Sequence, residues 1–215
     1  MNGNVNDVLT GYPTRDLFVE GREDKGDIQS DVNLSLRLST RYLRIMKDKS
    51  IYSEAPIYFT YYFDLVESND LLHELRSNAN AIEGFLNSVS DEKWHYAYDN
   101  GKWTIAEVVR HIIETERVFA YRALCCSRFD ETPLPGFNEN NYISNLHSVK
   151  FSKTNMIREF SSVRESSICL FESMNTEMLK FMGNANGLQV SAEMLGFMIV
   201  GHTRHHVGII EDRYL

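Results

Sequence analysis

A chain of 215 residues with 43% hydrophobic and 24% charged residues has the composition of one globular domain with room for an appendage. Its net charge of -8, with no stripe of Lys and Arg to offset it, argues against a surface that grips nucleic-acid phosphates. The longest apolar run, around Met194 to Val200, falls far short of the ~20 residues a bilayer demands, and the polar start from Met1 to Asn6 lacks a secretion-signal core, so no membrane partner and a cytoplasmic location are expected.

Residues 1–50 carry scattered charge, Gly11, Gly21 and Gly26, and only a weak helical period from Val32 to Met46. They read as an N-terminal appendage, partly disordered or lightly docked, ahead of a domain spanning 51–215; a natural start at Met46 would leave that domain whole. Tyr58, Phe59, Tyr61, Tyr62 and Phe63 form an aromatic cluster of the kind that packs a bundle end. Leu72, Leu75, Ala79, Ile82, Leu86 and Val89 then recur at steps of three and four, which predicts an amphipathic first helix of about 20 residues.

The second helix is announced by Thr104 as N-cap and Glu107 three residues later, a capping box, with Trp103 and Val108 placed as a hydrophobic staple. Its expected course is Thr104 to about Ser127. Cys125 and Cys126 fall within its apolar period and read as buried small hydrophobes rather than metal ligands; with Cys169 they make no disulfide framework. Pro133, Pro135 and Gly136 end any helix, and the following connection, roughly 24 residues, is long enough to cross an end or cover a site. A third helix is predicted from Ser152 to Met174, with Met156, Phe160, Val163, Leu170 and Phe171 inward. A fourth opens at the N-cap Ser191 and runs through Met194, Leu195, Met198 and Ile199 to Ile210. Four long helices and no convincing strand predict an all-α fold, a four-helix bundle with long inter-helix connections.

The fourth helix carries His202, His205 and His206. His202 and His206 stand one turn apart on one face, a spacing at which two neutral imidazoles hold one divalent metal if another element supplies a third ligand. The plainer reading is a polar helix end with solvated histidines. His111 fits the third place, because it lies among Ile105, Val108, Val109 and Ile112 on an otherwise apolar face of the second helix. Glu114, three residues on, shares that face and is the candidate catalytic proton acceptor, or else a hydrogen-bonding neighbour of a ligand. His205 points about 60° from the line of His206 and is assigned to the surroundings. Glu107 is accounted for by its cap, Arg122 lies ~16 Å along the helix from His111, and Arg213 reads as a C-terminal helix cation. A metalloprotease motif would need Glu where Thr203 stands, and the last helix offers no Glu-x-x-His pair for a di-iron site.

The run Lys102, Trp103, Thr104, Ile105, Glu107, then His111, Glu114, Glu116 and Arg117, resembles the second-helix signature of the DinB/YfiT-like family. Leu134 to Tyr142 resembles that family's connection, and Gly201, His202, His205 and His206 its last helix. The resemblance covers about Tyr58 to Leu215. It implies a four-helix bundle whose metal, nickel or zinc, is held by His111, His202 and His206, and an enzyme that activates a bound water or low-molecular-weight thiol, as a hydrolase or a thiol-dependent transferase acting on small molecules. Two other readings remain at this point: a non-catalytic metal-binding stress-response module, with a homodimer built on exposed helix faces, and an interaction protein that binds no metal.

Overall fold

The computed structural model describes residues 51–146 and 149–215. The appendage, the helical patch from Val32 to Met46 and the alternative start lie outside the described residues. Two short helices, α1 (Ile51–Glu54) and α2 (Ile57–Asp64), lead into the first long helix, α3 (Leu71–Ser88). One turn, α4 (Asp91–Trp94), separates it from the second, α5 (Ile105–Ser127). The connection to the third long helix, α7 (Lys153–Glu172), contains α6 (Glu139–Ser144), and α8 (Thr176–Lys180) and a hairpin, β1 (Met182–Ala185) with β2 (Leu188–Ser191), precede α9 (Ala192–Arg213).

Local chemistry sets these boundaries. Thr104 Oγ1 accepts from the Glu107 N–H at 3.2 Å while Glu107 Oε2 accepts from the Thr104 N–H at 2.7 Å, the reciprocal capping box that the sequence predicts. Asp70, Ser152 and Ser191 cap α3, α7 and α9 in the same one-sided way. The expectation of no strand does not hold: residues 182–191 form a two-stranded antiparallel hairpin. Its turn is Asn186 and Gly187, with φ of 55° and 76°, the pair of left-handed residues that a tight hairpin turn requires. Strands of four residues carry too little alternation to be seen in the apolar pattern. The hairpin also anchors the long connection, since the Leu134 N–H donates to Asn184 O and the Asn186 N–H donates to Leu134 O, both at 2.9 Å.

The four long helices close a ring in which α9 packs on α5, α5 on α7, α7 on α3 and α3 on α9. Helices consecutive in the chain, α3 with α5 and α7 with α9, are therefore diagonal partners, and the segments joining them cross the bundle ends. The two apolar clusters share the ring: one gathers Phe63, Leu75, Phe119, Leu195 and Phe197, the other Leu86, Trp94, Ile112, Phe160 and Ile210.

A buried polar tie joins all four long helices between these clusters. Arg164 of α7 gives Nε and Nη2 to the two carboxylate oxygens of Glu116 on α5, at 2.8 and 2.9 Å. Its Nη1 donates to Asn78 Oδ1 of α3 at 2.6 Å, and Nη2 also reaches Thr203 Oγ1 of α9 at 3.3 Å. Arg164 and Glu116 are almost wholly enclosed. Burying two charges is compensated only by such complete pairing.

The aromatic segment expected at a bundle end does bury Phe59 and Phe63, but as part of the separate helix α2, which lies against α9. The approach is close enough that a Cβ at Gly201 would stand 2.1 Å from the Tyr62 carbonyl oxygen. The obstacle is backbone, so Gly201→Ala is expected to cost about 2–3 kcal/mol in urea unfolding. Gly208→Ala, where a Cβ meets nothing, is expected to gain up to about 1 kcal/mol from helix propensity.

Candidate metal centre

Because α5 and α9 are ring neighbours, the inward face of one meets the inward face of the other, and the three histidines converge between them. His202 Nε2 lies 3.0 Å from His111 Nε2 and 3.0 Å from His206 Nε2. The three ligand atoms all lie within 4.8 Å of one another, and the residues are only 5–7% exposed. Two nitrogens bound at ~2.1 Å to one ion stand about 3.0–3.4 Å apart, so the donor set has the identity that a divalent metal requires, and two of its three pairs have the spacing. Three imidazoles leave the remaining coordination positions to other groups, unlike a closed four-ligand structural site.

The surrounding side chains hold these rings. Thr115, one turn beyond His111, has Oγ1 3.3 Å from His111 Nδ1; with Nε2 as the ligand atom, Nδ1–H donates to that hydroxyl and fixes the ring. The Trp103 ring lies 5.1 Å from His111, and Tyr62 and Phe119 lie 5.9 and 6.1 Å from His202. The residue after Thr115 is Glu116 and the residue after His202 is Thr203, so the Arg164 tie grips both ligand helices beside the site. Thr115 is signalled in the sequence only by its helical spacing from His111, and Arg164 by nothing local.

His205 is outside the converging set, with Nδ1 3.0 Å from Tyr61 Oη. Glu114 is also outside it. It is half-buried, and burial raises its pKa while the nearby Arg110 and Arg117 charges oppose that rise and Glu159 adds to it. Cys125 and Cys126 are buried in the apolar interior, as their periodicity indicates. Arg213 donates from Nη1 to Tyr98 Oη at 3.0 Å.

Burial holds all three site histidines neutral in the metal-free protein. Desolvation, with the His205 charge adding to it, pulls His111 down to about 3, and His202 and His206 are likewise lowered well below the ordinary value. Unfolded histidines titrate near 6.5, so below that pH the unfolded chain binds protons that the folded chain refuses. The stabilising contribution is complete above about pH 6.5 and declines as pH falls toward 3, by up to about 1.4 kcal/mol per pH unit for each histidine. Glu159 follows in a lower window. Hydrogen bonds from Arg110 and Arg117 hold it at about 2, so its share is lost only below about pH 4.3. Urea midpoints of metal-free protein, measured from pH 8 to pH 4, are expected to fall most steeply below 6.5; a flat profile would contradict neutral burial.

The DinB superfamily model matches residues 74–210, which includes all three histidines. The chain belongs to the DinB superfamily. Among its relatives is a protein of Oceanobacillus iheyensis provisionally named a metal-dependent hydrolase, 23% identical over 146 residues that span 66% of this chain and 83% of that protein. Among solved structures it resembles YfiT from Bacillus subtilis, described as a probable metal-dependent hydrolase with an unusual four-helix bundle topology. That likeness has a TM-score of 0.60 at 16% identity and covers 67% of this chain and 83% of YfiT. Among the described residues, no helix is long and apolar enough to cross a membrane.

Proposed function

We propose that this protein is a metal-dependent enzyme that binds one divalent ion, nickel or zinc, through His111, His202 and His206 and acts on a small molecule. The observation that carries the proposal is the meeting of three buried Nε2 atoms from two helices. When bound, the ion would supply Lewis acidity and lower the pKa of a nucleophile, either water, for hydrolysis, or a low-molecular-weight thiol, for group transfer. The chain's own part is to keep three neutral donors aimed at one point, which neutral burial and the Thr115 hydroxyl accomplish, and to exclude bulk water with Trp103, Tyr62 and Phe119. Glu114, one turn along α5 from His111 and free of the ligand set, is the proton acceptor in this reading.

The near-complete burial of all three ligands favours one second reading, a non-catalytic metal-binding module in stress response. The two are separated by measuring metal content in protein purified without added nickel, together with ester-hydrolysis and thiol-transfer screens on the parent and on His206→Ala. The enzyme reading expects one divalent ion per chain and an activity lost with it. Activity that survives metal removal would defeat it, and metal-loaded protein inert in both screens would favour the module.

A further inference from the structure

Three buried or half-buried arginines each meet a carboxylate: Arg164 meets Glu116, Arg110 meets Glu159, and Arg204 meets Glu74. Arg122 does not. The residue is 3% exposed, and among the described residues its side chain gives one hydrogen bond, from Nη2 to Pro135 O at 2.7 Å. Among the described residues, none of the three acidic side chains of the connection that passes over it, Asp130, Glu131 and Glu139, forms an ion pair with it. Asp130 is held by Thr132, and buried Glu139 has its pKa raised by desolvation with no cation opposing the rise.

A guanidinium in this position has been desolvated without the anion that ordinarily compensates for it. Its faces are flanked by aromatic rings, with Phe137 5.7 Å and Phe119 6.0 Å from Cζ, which fix the planar group and keep water off it. Phe119 is the same ring that lies against His202, so one aromatic side chain separates this cation from the histidine cluster. Pro135 belongs to the stretch whose neighbour Leu134 is tied to the hairpin, so the carbonyl that anchors the guanidinium is itself anchored. We propose that Arg122 is an anion-binding point that takes the carboxylate of a small acidic ligand, beside the histidine site and beneath the α5–α7 connection.

Binding at Arg122 needs no ion at the histidines, so the test uses the metal-free full-length protein and can fail independently of the metal reading. Glutarate and acetate are titrated at constant ionic strength against their neutral amides, glutaramide and acetamide, while the thermal midpoint and the ¹⁵N-detected Nε–H resonance of Arg122 are followed. The expected result is a saturable response to a carboxylate, none to its amide, and movement of the Arg122 resonance. Arg122→Lys, which keeps the charge but loses the planar fork, is expected to bind at least 10-fold more weakly, and Arg122→Met to lose the response. An equal response to acid and amide, an unmoved Arg122 resonance, or full binding by Arg122→Met would each overturn the proposal. A response to inorganic phosphate that exceeds the carboxylate response would overturn the assignment of ligand class. The resonance is read in the parent protein, so the outcome stands even if a variant folds poorly.

Discussion

Arg164→Met is expected to lower the free energy of unfolding by about 3–5 kcal/mol, because it strands the Glu116 carboxylate in the interior with no counter-charge. The double variant Arg164→Met, Glu116→Met is expected to regain at least half of that loss, since two apolar side chains of similar volume no longer need to be paired. The recovery should be incomplete. Asn78 and Thr203 also lose a donor, and each unsatisfied buried group costs about 1–3 kcal/mol. Urea unfolding of the parent, both single variants and the double variant closes a cycle whose coupling energy measures the pair directly. A double variant no more stable than Arg164→Met would show that the tie acts through Asn78 and Thr203 rather than through the ion pair.

Under the proposed metal centre, zinc or nickel at 100 times its dissociation constant is expected to raise the stability of the folded chain by about 2.7 kcal/mol, because a unique site built from two helices exists only in the folded state. For a domain of this size that corresponds to a thermal shift of roughly 5–10 °C. His202 is the centre of the cluster, within 3.0 Å of both other ligand atoms, so His202→Ala should abolish the shift. His205→Ala, which removes a side chain outside the ligand set, should retain most of it. A shift of equal size in His202→Ala would place the ion elsewhere on the protein.

What could be read in the sequence were features whose signal lies within one or two turns of helix. The Thr104–Glu107 cap, the one-turn spacing of His202 and His206, and the apolar surroundings of His111 are all of this kind, because α-helical geometry fixes which neighbours share a face. The hairpin was also marked, by Asn186–Gly187, but its strands are too short for periodicity to register beside four long helices. The Arg164 tie was illegible for a different reason. Its partners lie 39 to 89 positions away on three other helices, and which helices meet depends on the diagonal order of the ring rather than on any local pattern. Arg122 shows a related limit: its place on α5 is readable, but its burial follows from how the irregular connection after α5 folds back over it.

The diagonal ring also sets when the histidine cluster can come into being. His111 and His202 are 91 positions apart, and the helix carrying two of the three ligands is the last long element of the chain. Closing so long a loop is entropically slow, and the cluster is unmade until α5 and α9 have docked. Under the proposed metal centre, an ion that recognises only the finished cluster would bind after that docking. It would leave the refolding rate nearly unchanged and act almost wholly by slowing unfolding, so that metal occupancy becomes kinetic persistence of the native chain.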